Sequence, residues 1–285
     1  MSKFANIAEL RNYGNIFLGF LQWPKFGYAD NMDGKFNIGT SGWSYKDWIE
    51  VFYPKKIKTK DWLSFYAKTF ECTEINGSFY RLPSKETVIN WVNNVPKEFR
   101  FCPKMSRYLT HFKKLREPEE PLERFFSIFE PMRKKMGPVL IQLPKTVGFD
   151  RSIAEHFFKL LKRKYSSYRF AIEVRHESWM TKSSYSLMTK YGVSFVISHS
   201  GDHFPYEEVV TAKNIYFRFH GPGTLYNTKY HYATLKKYSR LFKRWLDEGH
   251  DLWIFFNNDW FGYGIKDALT LIRFLEQARQ TAPVD

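Results

Sequence analysis

The sequence predicts one α/β domain, a single (β/α)8 barrel of the TIM type with an N-terminal extension. Eight apolar runs of strand length recur along the chain, on average about 31 residues apart, which is the length of one strand-plus-helix unit. Amphipathic helical patterns separate most of these runs. The chain has 285 residues, of which 44% are hydrophobic, enough for one large domain. We therefore assign residues 1–35 to an extension that packs on the barrel and residues 36–285 to the barrel itself.

The predicted strands are nearly continuous apolar stretches, as expected of parallel strands that are buried on both faces. In chain order they cover residues 36–40, 72–76, 100–104, 139–143, 170–175, 194–198, 215–220 and 252–257. No Gly-x-Gly-x-x-Gly pattern follows an early strand. The sequence therefore favours a closed barrel over an open dinucleotide-binding sheet.

Helical patterns lie between the strands and after the last one. They cover residues 61–70, 84–95, 122–136, 153–165, 183–191, 235–248 and 266–278. In the longest amphipathic pattern, Leu235, Tyr238, Phe242 and Trp245 form an apolar stripe with basic residues off it, which indicates a side that faces the barrel. The segment between residues 199 and 215 is too short for a long helix, and we expect a turn or two there.

The cysteine content and the start of the chain both indicate the cytoplasm. Cys72 and Cys102 lie inside predicted strands, as buried reduced thiols do in a reducing compartment. The first residues show no signal-peptide pattern, and the longest early apolar stretch, residues 16–23, is too short to span a bilayer. We expect a cytoplasmic protein with no membrane partner.

The formal net charge of +15 attracts anions, and two interpretations of it remain open. The basic residues are spread along the chain and are not concentrated in one arm or tail. They could therefore simply form the solvent-exposed sides of the outer helices. They could also bind nucleic acid weakly and without sequence preference, because the chain carries no helix-turn-helix, zinc-finger or RNP motif.

Polar residues gather at the predicted carboxyl ends of the strands, where barrels of this type carry their active sites. The strand ends supply Ser41, Glu74, Asn76, Lys104, Gln142, Glu173, Arg175, Ser198, Arg218, His220 and Asn257. The loops that follow add Trp43, Tyr80, His111, His176, His199, Gly221, Asn258 and Asp259. A barrel whose interior served packing alone has little reason to place polar residues at one end of almost every strand.

Alternation along the strands predicts partners for the buried charges. Residues two apart share a face, which pairs Glu74 with Asn76, Glu173 with Arg175, and Arg218 with His220. A charged group in an apolar strand must find a partner, so we expect Glu74 or Glu173 to meet Arg218 or Lys104. The alternative is that Glu173 and Arg218 form an ion pair that only fills the barrel. Likewise, His176 and His199 could be structural histidines, and Trp43 and Tyr80 ordinary loop packing.

The balance of charges favours an anionic ligand over a metal. Lys104, Arg175 and Arg218 outnumber Glu74 and Glu173, the carboxylates within strands. A glycine-rich loop, Gly221-Pro222-Gly223, follows the seventh strand, where barrels often bind phosphate through backbone amides. We expect no metal and no organic cofactor, although a single metal held by Glu74, Glu173 and a histidine is an open alternative.

A series of short motifs in residues 36–275 resembles a known family. The motifs are IGTSGWSY at 38–45, Trp48, FYP at 52–54, TEINGSFYR at 73–81, residues 101–104, LTH at 109–111, residues 137–144, EVRHESW at 173–179, YFRFHG at 216–221 and FNND at 256–259. In order and content they resemble the YecE-like family, domain of unknown function 72. The resemblance implies a (β/α)8 barrel, with a loose relation to sugar isomerases and no established activity. Gly77 departs from the family pattern, in which Asn is followed directly by Ser or Thr.

The leading hypothesis is a metal-independent enzyme that acts on a small phosphorylated or carboxylated, sugar-like compound by general acid/base chemistry. The catalytic candidates are Glu74 and Glu173 as bases and His176 and His220 as acids. The candidates for substrate binding are Ser41, Trp43, Asn76, Tyr80, Lys104, His111, Gln142, Arg175, Arg218, Gly221, Asn257 and Asn258. The alternative is a nucleotide- or nucleic-acid-binding protein, or a nuclease, that uses the basic surface and the same pocket.

Overall fold

The structure is a computed structural model that describes residues 34–280. It contains eight strands: β1 Phe36–Thr40, β2 Cys72–Ile75, β3 Arg100–Pro103, β4 Val139–Gln142, β5 Phe170–Glu173, β6 Val193–His199, β7 Asn214–Phe219 and β8 Asp251–Phe256. Each overlaps a predicted strand, and the bounds differ by at most two residues. The predicted extension, residues 1–35, lies outside the described residues except for its last two.

All strands are parallel and follow the order β3-β2-β1-β8-β7-β6-β5-β4. The ends of this order approach each other through isolated bridges that join Phe101 to Met136 and Lys104 to Leu140. The backbone N–H of Met105 also donates to the carbonyl oxygen of Leu140 at 2.8 Å. The sheet is thus a nearly closed barrel, and the predicted fold class is confirmed.

Helices cover the outside of the barrel. They are α1 Trp62–Tyr66, α2 Gly77–Tyr80, α3 Lys85–Asn93, α4 Glu119–Phe129, α5 Arg151–Lys164, α6 Lys182–Tyr191, α7 Tyr232–Asp247 and α8 Tyr263–Gln280. Short 3-10 turns cover Lys46–Trp48, Thr59–Asp61, Glu130–Lys135, Glu177–Trp179 and Trp260–Gly262, and a π-helical turn covers Tyr108–Phe112. None of the helices described has both the length and the apolar character that crossing a bilayer requires.

Two segments between the strands can be compared with the sequence patterns, the one after β3 and the one after β6. The predicted helix over residues 122–136 is wrong in its second half, because α4 ends at Phe129 and a 3-10 turn that contains Pro131 follows from Glu130. Proline lacks the N–H that would continue the α-helix, and its ring clashes with the preceding turn. Between β6 and β7 the chain forms turns and no helix, as its short length predicts.

The inner face of the barrel has an apolar lower half. Its side chains form a cluster of their own, separate from the larger core between the strands and the helices. This apolar plug consists of Cys72, Cys102, Leu140, Ala171, Val196, Tyr216, Trp253 and Phe255. No plug residue is more than 3% exposed, so the lower half of the barrel is filled with side chains.

Candidate functional site

A polar layer lies directly above the apolar plug. Because side chains two residues apart share a face of a strand, each residue two positions after a plug residue lies one level closer to the carboxyl end. Together with Ser41 after β1, these positions give the polar layer: Ser41, Glu74, Lys104, Gln142, Glu173, Ser198, Arg218 and Asn257. Each of the eight strands, or the residue directly after it, therefore contributes one polar side chain. Asn76, Arg175 and His220 lie two positions beyond members of the layer, after the ends of β2, β5 and β7.

Arg218 is the centre of this layer and is 1% exposed. Its Nε lies 2.8 Å from Glu74 Oε1 and its Nη2 lies 2.9 Å from Glu74 Oε2, a bidentate contact. Its Nη1 donates to Glu173 Oε2 at 2.5 Å. Burial alone would lower the pKa of Arg218, but the two carboxylates outweigh it and raise the pKa well above its ordinary value. The guanidinium therefore stays positively charged, and it donates its hydrogen bonds to side chains of the layer.

Glu74 is completely buried and accepts hydrogen bonds at both oxygens. Besides the two from Arg218, Oε2 accepts one from the Ser41 hydroxyl at 2.5 Å and Oε1 accepts one from the Tyr216 hydroxyl at 2.8 Å. Tyr216 belongs to the plug and was not singled out from the sequence, although it shares a face with Arg218 on β7. Four donors hold Glu74 in one orientation.

Glu173 joins Arg218 to the more accessible Arg175. Nε and Nη2 of Arg175 lie 2.9 and 2.8 Å from Glu173 Oε1. Burial raises the pKa of Glu173, but the charges of Arg218 and Arg175 outweigh this effect and hold the pKa well below its ordinary value. Arg175 is 16% exposed in its side chain, and its guanidinium lies 4.0 Å from the centre of the Phe204 ring. It forms the boundary between the layer and the solvent.

Lys104 lies on the β3 side of the layer. Its Nζ donates to Gln142 Oε1 at 2.6 Å and lies 4.0 Å from the centre of the Phe79 ring. Burial and then the positive charge of Arg218 lower its pKa to about 7, although Glu173 partly opposes the shift. At neutral pH this amine exchanges readily between its charged and neutral forms.

His220 presents one ring nitrogen to the layer, close to Glu173. Its Nδ1 lies 3.1 Å from Asn257 Nδ2. An amide nitrogen only donates, so Nδ1 accepts and the proton of the neutral ring is on Nε2. Nε2 is buried, lies 3.7 Å from Glu173 Oε2 and has no hydrogen-bond partner among the described residues. Burial and the charge of Arg218 lower the pKa of His220 to about 4, so the ring is neutral at neutral pH.

Other buried polar atoms near the layer also lack hydrogen-bond partners among residues 34–280. These are the hydroxyl of Ser198 and the amide oxygen of Asn76, whose Nδ2 donates to the Ser41 carbonyl at 3.3 Å. Buried polar groups are normally satisfied by protein, water or ligand. With Nε2 of His220, these atoms mark a region of the barrel mouth that suits a polar ligand.

The carboxylates do not form a site of the kind that a metal needs. The alternative of a metal held by Glu74, Glu173 and a histidine is not supported, because the guanidinium of Arg218 already contacts both carboxylates. Within the described residues no three His, Cys, Asp or Glu side chains are grouped as metal ligands.

Several predicted site residues lie at the edge of the layer or away from it. His111 is partly buried, its ring centre lies 4.9 Å from that of Phe79, and burial together with Lys104 lowers its pKa to about 4. Tyr80 is exposed at the end of α2. Trp43 packs against Trp91 of α3 and Phe101, on the outer side of the barrel.

The remaining predicted residues have structural contacts. His176 is exposed, and its Nδ1 accepts from the backbone of Ser178 at the start of a 3-10 turn. Asn258 is buried and donates to Asp267 of α8 at 2.8 Å and to the Thr228 carbonyl at 2.9 Å. The backbone N–H of Gly221 donates to the Tyr230 hydroxyl at 3.0 Å. The amides of this loop are used internally, so the geometry does not support the expected phosphate contact at Gly221.

Two contacts at the mouth were missed in the sequence. The hydroxyl of Tyr45 donates to Asp259 Oδ2 at 3.0 Å, and burial raises the pKa of Asp259 well above its ordinary value. Lys145, three residues after β4 ends, lies 5.7 Å from the centre of the Phe204 ring that Arg175 also contacts. Phe204 lies in the turn-rich segment after β6, where no strand periodicity indicates its direction.

The chain was compared with known proteins. The family described as "Protein of unknown function DUF72" matches residues 37–285. This chain belongs to that family. The family resemblance inferred from the motifs is thereby confirmed, and the match covers the whole barrel.

Relatives and solved structures of the family agree with this assignment. The UPF0759 protein YecE of Escherichia coli K12 is 29% identical over 147 residues, which are 51% of this chain and 50% of that protein. The match thus spans about half the length of that curated relative. A DUF72 protein structure from Thermotoga maritima is 28% identical, with a TM-score of 0.74, and covers 85% of this chain and 99% of that one. Another from Enterococcus faecalis, at 22% identity and a TM-score of 0.73, covers 85% and 95% and supports the fold.

Proposed function

We propose that this DUF72 barrel is an enzyme that acts on a small phosphorylated or carboxylated, sugar-like compound by general acid/base catalysis. In this proposal Lys104 exchanges a proton with the substrate, and Nε2 of His220 donates a hydrogen bond to a reacting oxygen. Arg175 binds the anionic group, while Gln142 and Asn257 orient hydroxyls. The reaction takes place in the polar layer.

The pKa and the position of Lys104 carry the proposal. General acid/base catalysis is most efficient when the pKa of the group lies near the working pH. Lys104 has a pKa of about 7, is buried beside two arginines and donates to Gln142 alone among the hydrogen bonds described. Since an amine that only balanced charge would be stabilised by a carboxylate contact, its place beside a neutral amide favours a role in proton transfer.

The two glutamates suit a supporting role better than the role of general base suggested by the sequence. Glu74 accepts four hydrogen bonds, two of them from Arg218. Glu173 has a strongly lowered pKa and contacts both arginines. Glu173 is therefore a weak base, and the four hydrogen bonds of Glu74 hold that side chain in place on Arg218. Both glutamates therefore position Arg218, whose charge in turn lowers the pKa values of Lys104 and His220.

His220 suits the stabilisation of developing negative charge. A neutral imidazole that donates from Nε2 can polarise a carbonyl or hydroxyl oxygen without first losing a proton. Asn257 fixes the tautomer, and Nε2 lies 3.7 Å from Glu173 Oε2 without a hydrogen bond among the described residues, so its N–H could turn to a ligand oxygen. This arrangement supports an enzyme more than a simple binding pocket, because a binding pocket has no need of a fixed proton donor beside an amine of lowered pKa.

Hydrogen exchange in D2O tests the proposed chemistry. Wild-type protein is incubated with a panel of sugar phosphates and hydroxy acids, and deuterium incorporation at carbon is followed by NMR. We expect exchange for at least one compound, loss of that exchange in Lys104→Met, and no loss in Arg163→Ala, which changes an exposed residue of α5. Exchange at an equal rate in Lys104→Met would contradict the assigned role.

A further inference from the structure

A groove between the loops that follow β2 and β3 lies outside the polar layer. It has a volume of about 520 Å³ and extends from the end of α2 to one side of α4, from Glu120 to Ile128. Its lining includes Tyr80, Arg81, Arg107, Tyr108, Phe112 and Arg124. We call it the aromatic–arginine groove. None of these residues belongs to the polar layer, and the proposed acid/base chemistry uses none of their side chains.

The aromatic side chains of this groove are unusually exposed. Tyr80 is 69% exposed, Phe112 is 68% exposed and Tyr108 is 49% exposed. Leaving one large aromatic ring in water is ordinary, but a group of them around one groove marks a binding surface. The rings are carried by the single turn of α2 and by the π-helical turn Tyr108–Phe112, so their backbones are hydrogen-bonded and their positions are defined.

Arginine side chains lie among these rings. The guanidinium carbon of Arg107 is 5.9 Å from the centres of both the Tyr80 and the Phe112 rings. Arg81 and Arg124 add two further positive charges to the lining, against the single carboxylate of Glu120. The groove therefore combines a net positive charge with planar surfaces, which complements a ligand that has both negative charges and planar rings.

We propose that the aromatic–arginine groove binds single-stranded nucleic acid. Unpaired bases stack on Tyr80, Tyr108 and Phe112, while the arginines contact the phosphates between them. A duplex fits this surface less well, because its bases are already stacked on one another and only its phosphates remain accessible. The proposal is independent of the acid/base chemistry proposed for the polar layer, since neither requires the other.

The position of the groove connects it to the mouth of the barrel. Phe79 lines the groove, and its ring also lies 4.0 Å from Nζ of Lys104. A strand that occupies the groove is therefore separated from Lys104 only by the Phe79 ring.

The test is a fluorescence anisotropy titration of the full chain with a labelled single strand of about 12 nucleotides, long enough to cover the groove. RNA and DNA of one sequence are compared with the matching duplex and with a polyglutamate peptide, and anionic lipid vesicles are tested separately by co-sedimentation. Each titration is run at low and at physiological salt, because contacts to phosphate alone weaken steeply with salt whereas stacking does not. We expect the single strands to bind at least about tenfold more tightly than the duplex at physiological salt.

Paired variants separate stacking from general charge. Tyr80→Ala with Phe112→Ala should weaken single-strand binding at least about tenfold, since stacking on an aromatic side chain contributes that much per base. Replacement of both residues by Trp should retain binding. Tyr232→Ala is the matched control, because Tyr232 is also exposed but begins α7, after the strand four places from β3 in the barrel order. The exposure of Tyr80 and Phe112 means that their replacement should leave the melting temperature almost unchanged.

Three results would overturn the proposal. The first is equal affinity for single strand and duplex at physiological salt, and the second is an unchanged affinity in the double alanine variant. The third is binding to vesicles or polyglutamate with no binding to either single strand. Preference for RNA or for DNA would support the proposal and identify the sugar that the groove accepts.

Discussion

Arg218 contacts Glu74 through two parallel hydrogen bonds of 2.8 and 2.9 Å, and both side chains are almost completely inaccessible to solvent. An ion pair of this kind is a poor source of net stability, because its attraction must offset the removal of both charges from water. Losing one partner is nevertheless costly, since the other charge then remains buried alone. The same guanidinium also contacts Glu173, so one substitution at Arg218 would leave two buried carboxylates without their main partner.

Replacement of Arg218 by methionine should therefore lower the free energy of unfolding by roughly 3–5 kcal/mol. Urea denaturation followed by circular dichroism measures this change. Adding Glu74→Gln and Glu173→Gln to the variant should recover part of the loss, because the uncompensated charges are removed. Arg163→Met, a change at an exposed position, should alter the free energy by no more than about 0.5 kcal/mol. A stable single variant at Arg218 would contradict the assigned network.

Lys104 should make stability depend on pH in the alkaline range. Its pKa is about 7 in the folded chain, below the ordinary value of 10.5. Between these values the unfolded chain holds a proton that the folded chain has released, so rising pH favours the folded state. The free energy of unfolding of the wild type should rise relative to Lys104→Met from pH 7 to pH 10, by at most about 1.4 kcal/mol per pH unit. A constant difference across this range would mean that Lys104 titrates normally.

His220 should make the stability of the fold depend on pH in the acid range. Its pKa is about 4 in the folded chain, below the ordinary value of 6.5. As the pH falls from 6.5 to 4, His220 becomes protonated in the unfolded chain but stays neutral in the folded chain. The free energy of unfolding therefore decreases over this range. His220→Gln keeps an N–H donor but does not titrate, so it should lose less stability than the wild type over this window. Parallel chemical denaturation curves at several pH values measure the difference, and identical slopes would exclude His220 as the cause.

Phosphate should raise the melting temperature of the wild type through Arg175. A ligand that binds the folded state stabilises it by mass action. The guanidinium of Arg218 is buried and contacts Glu74 and Glu173. Arg175 is partly exposed and lies near Phe204, which Lys145 also contacts. The phosphate-dependent shift should disappear in Arg175→Ala and persist in Arg163→Ala. Because each variant is compared with itself without phosphate, any change in its baseline stability cancels. Equal shifts in both variants would place the anion elsewhere.

Two glycines should respond in opposite ways to alanine. A Cβ atom at Gly137 would lie 2.5 Å from Cys102 Sγ and 2.6 Å from the Trp253 ring, both part of the apolar plug. Gly137→Ala should cost roughly 1–3 kcal/mol, as overpacking of a filled core does. At Gly77 nothing lies within 4 Å of the added atom, and alanine there should be neutral or stabilising by up to about 1 kcal/mol. Thermal unfolding of the two variants side by side tests the pair.

The strand positions could be predicted from the sequence because strands buried on both faces are continuous apolar runs, which stand out in a basic chain. The same alternation predicted that Glu74, Glu173 and Arg218 share the inner face, and the structure brings them into contact. Alternation also separates two adjacent candidates. Asn257 faces the layer, whereas Asn258 one residue later lies on the opposite face and donates to Asp267 of α8.

Loop residues could not be placed in this way, because the alternation ends with the strands. Trp43 and His176 follow strands with no periodicity to fix their direction, and they pack outward or cap a turn. The sequence shows that a glycine-rich loop follows β7, but not that the Tyr230 hydroxyl uses the amide of Gly221. The pKa of Lys104 depends on the three-dimensional positions of Arg218 and Arg175, which come from other strands. Its role therefore becomes visible only in the folded barrel.

Within residues 34–280 the apolar plug closes one end of the barrel. Tyr216, Phe255 and Trp253 close the interior below the polar layer, so a compound that reaches Lys104 must leave by the way it came. Under the proposed function, substrate and product therefore use the same opening, and a bound product keeps the next substrate out. For such an enzyme we expect the rate of turnover to be limited by product release. The motion of the loops around the opening would then determine that rate.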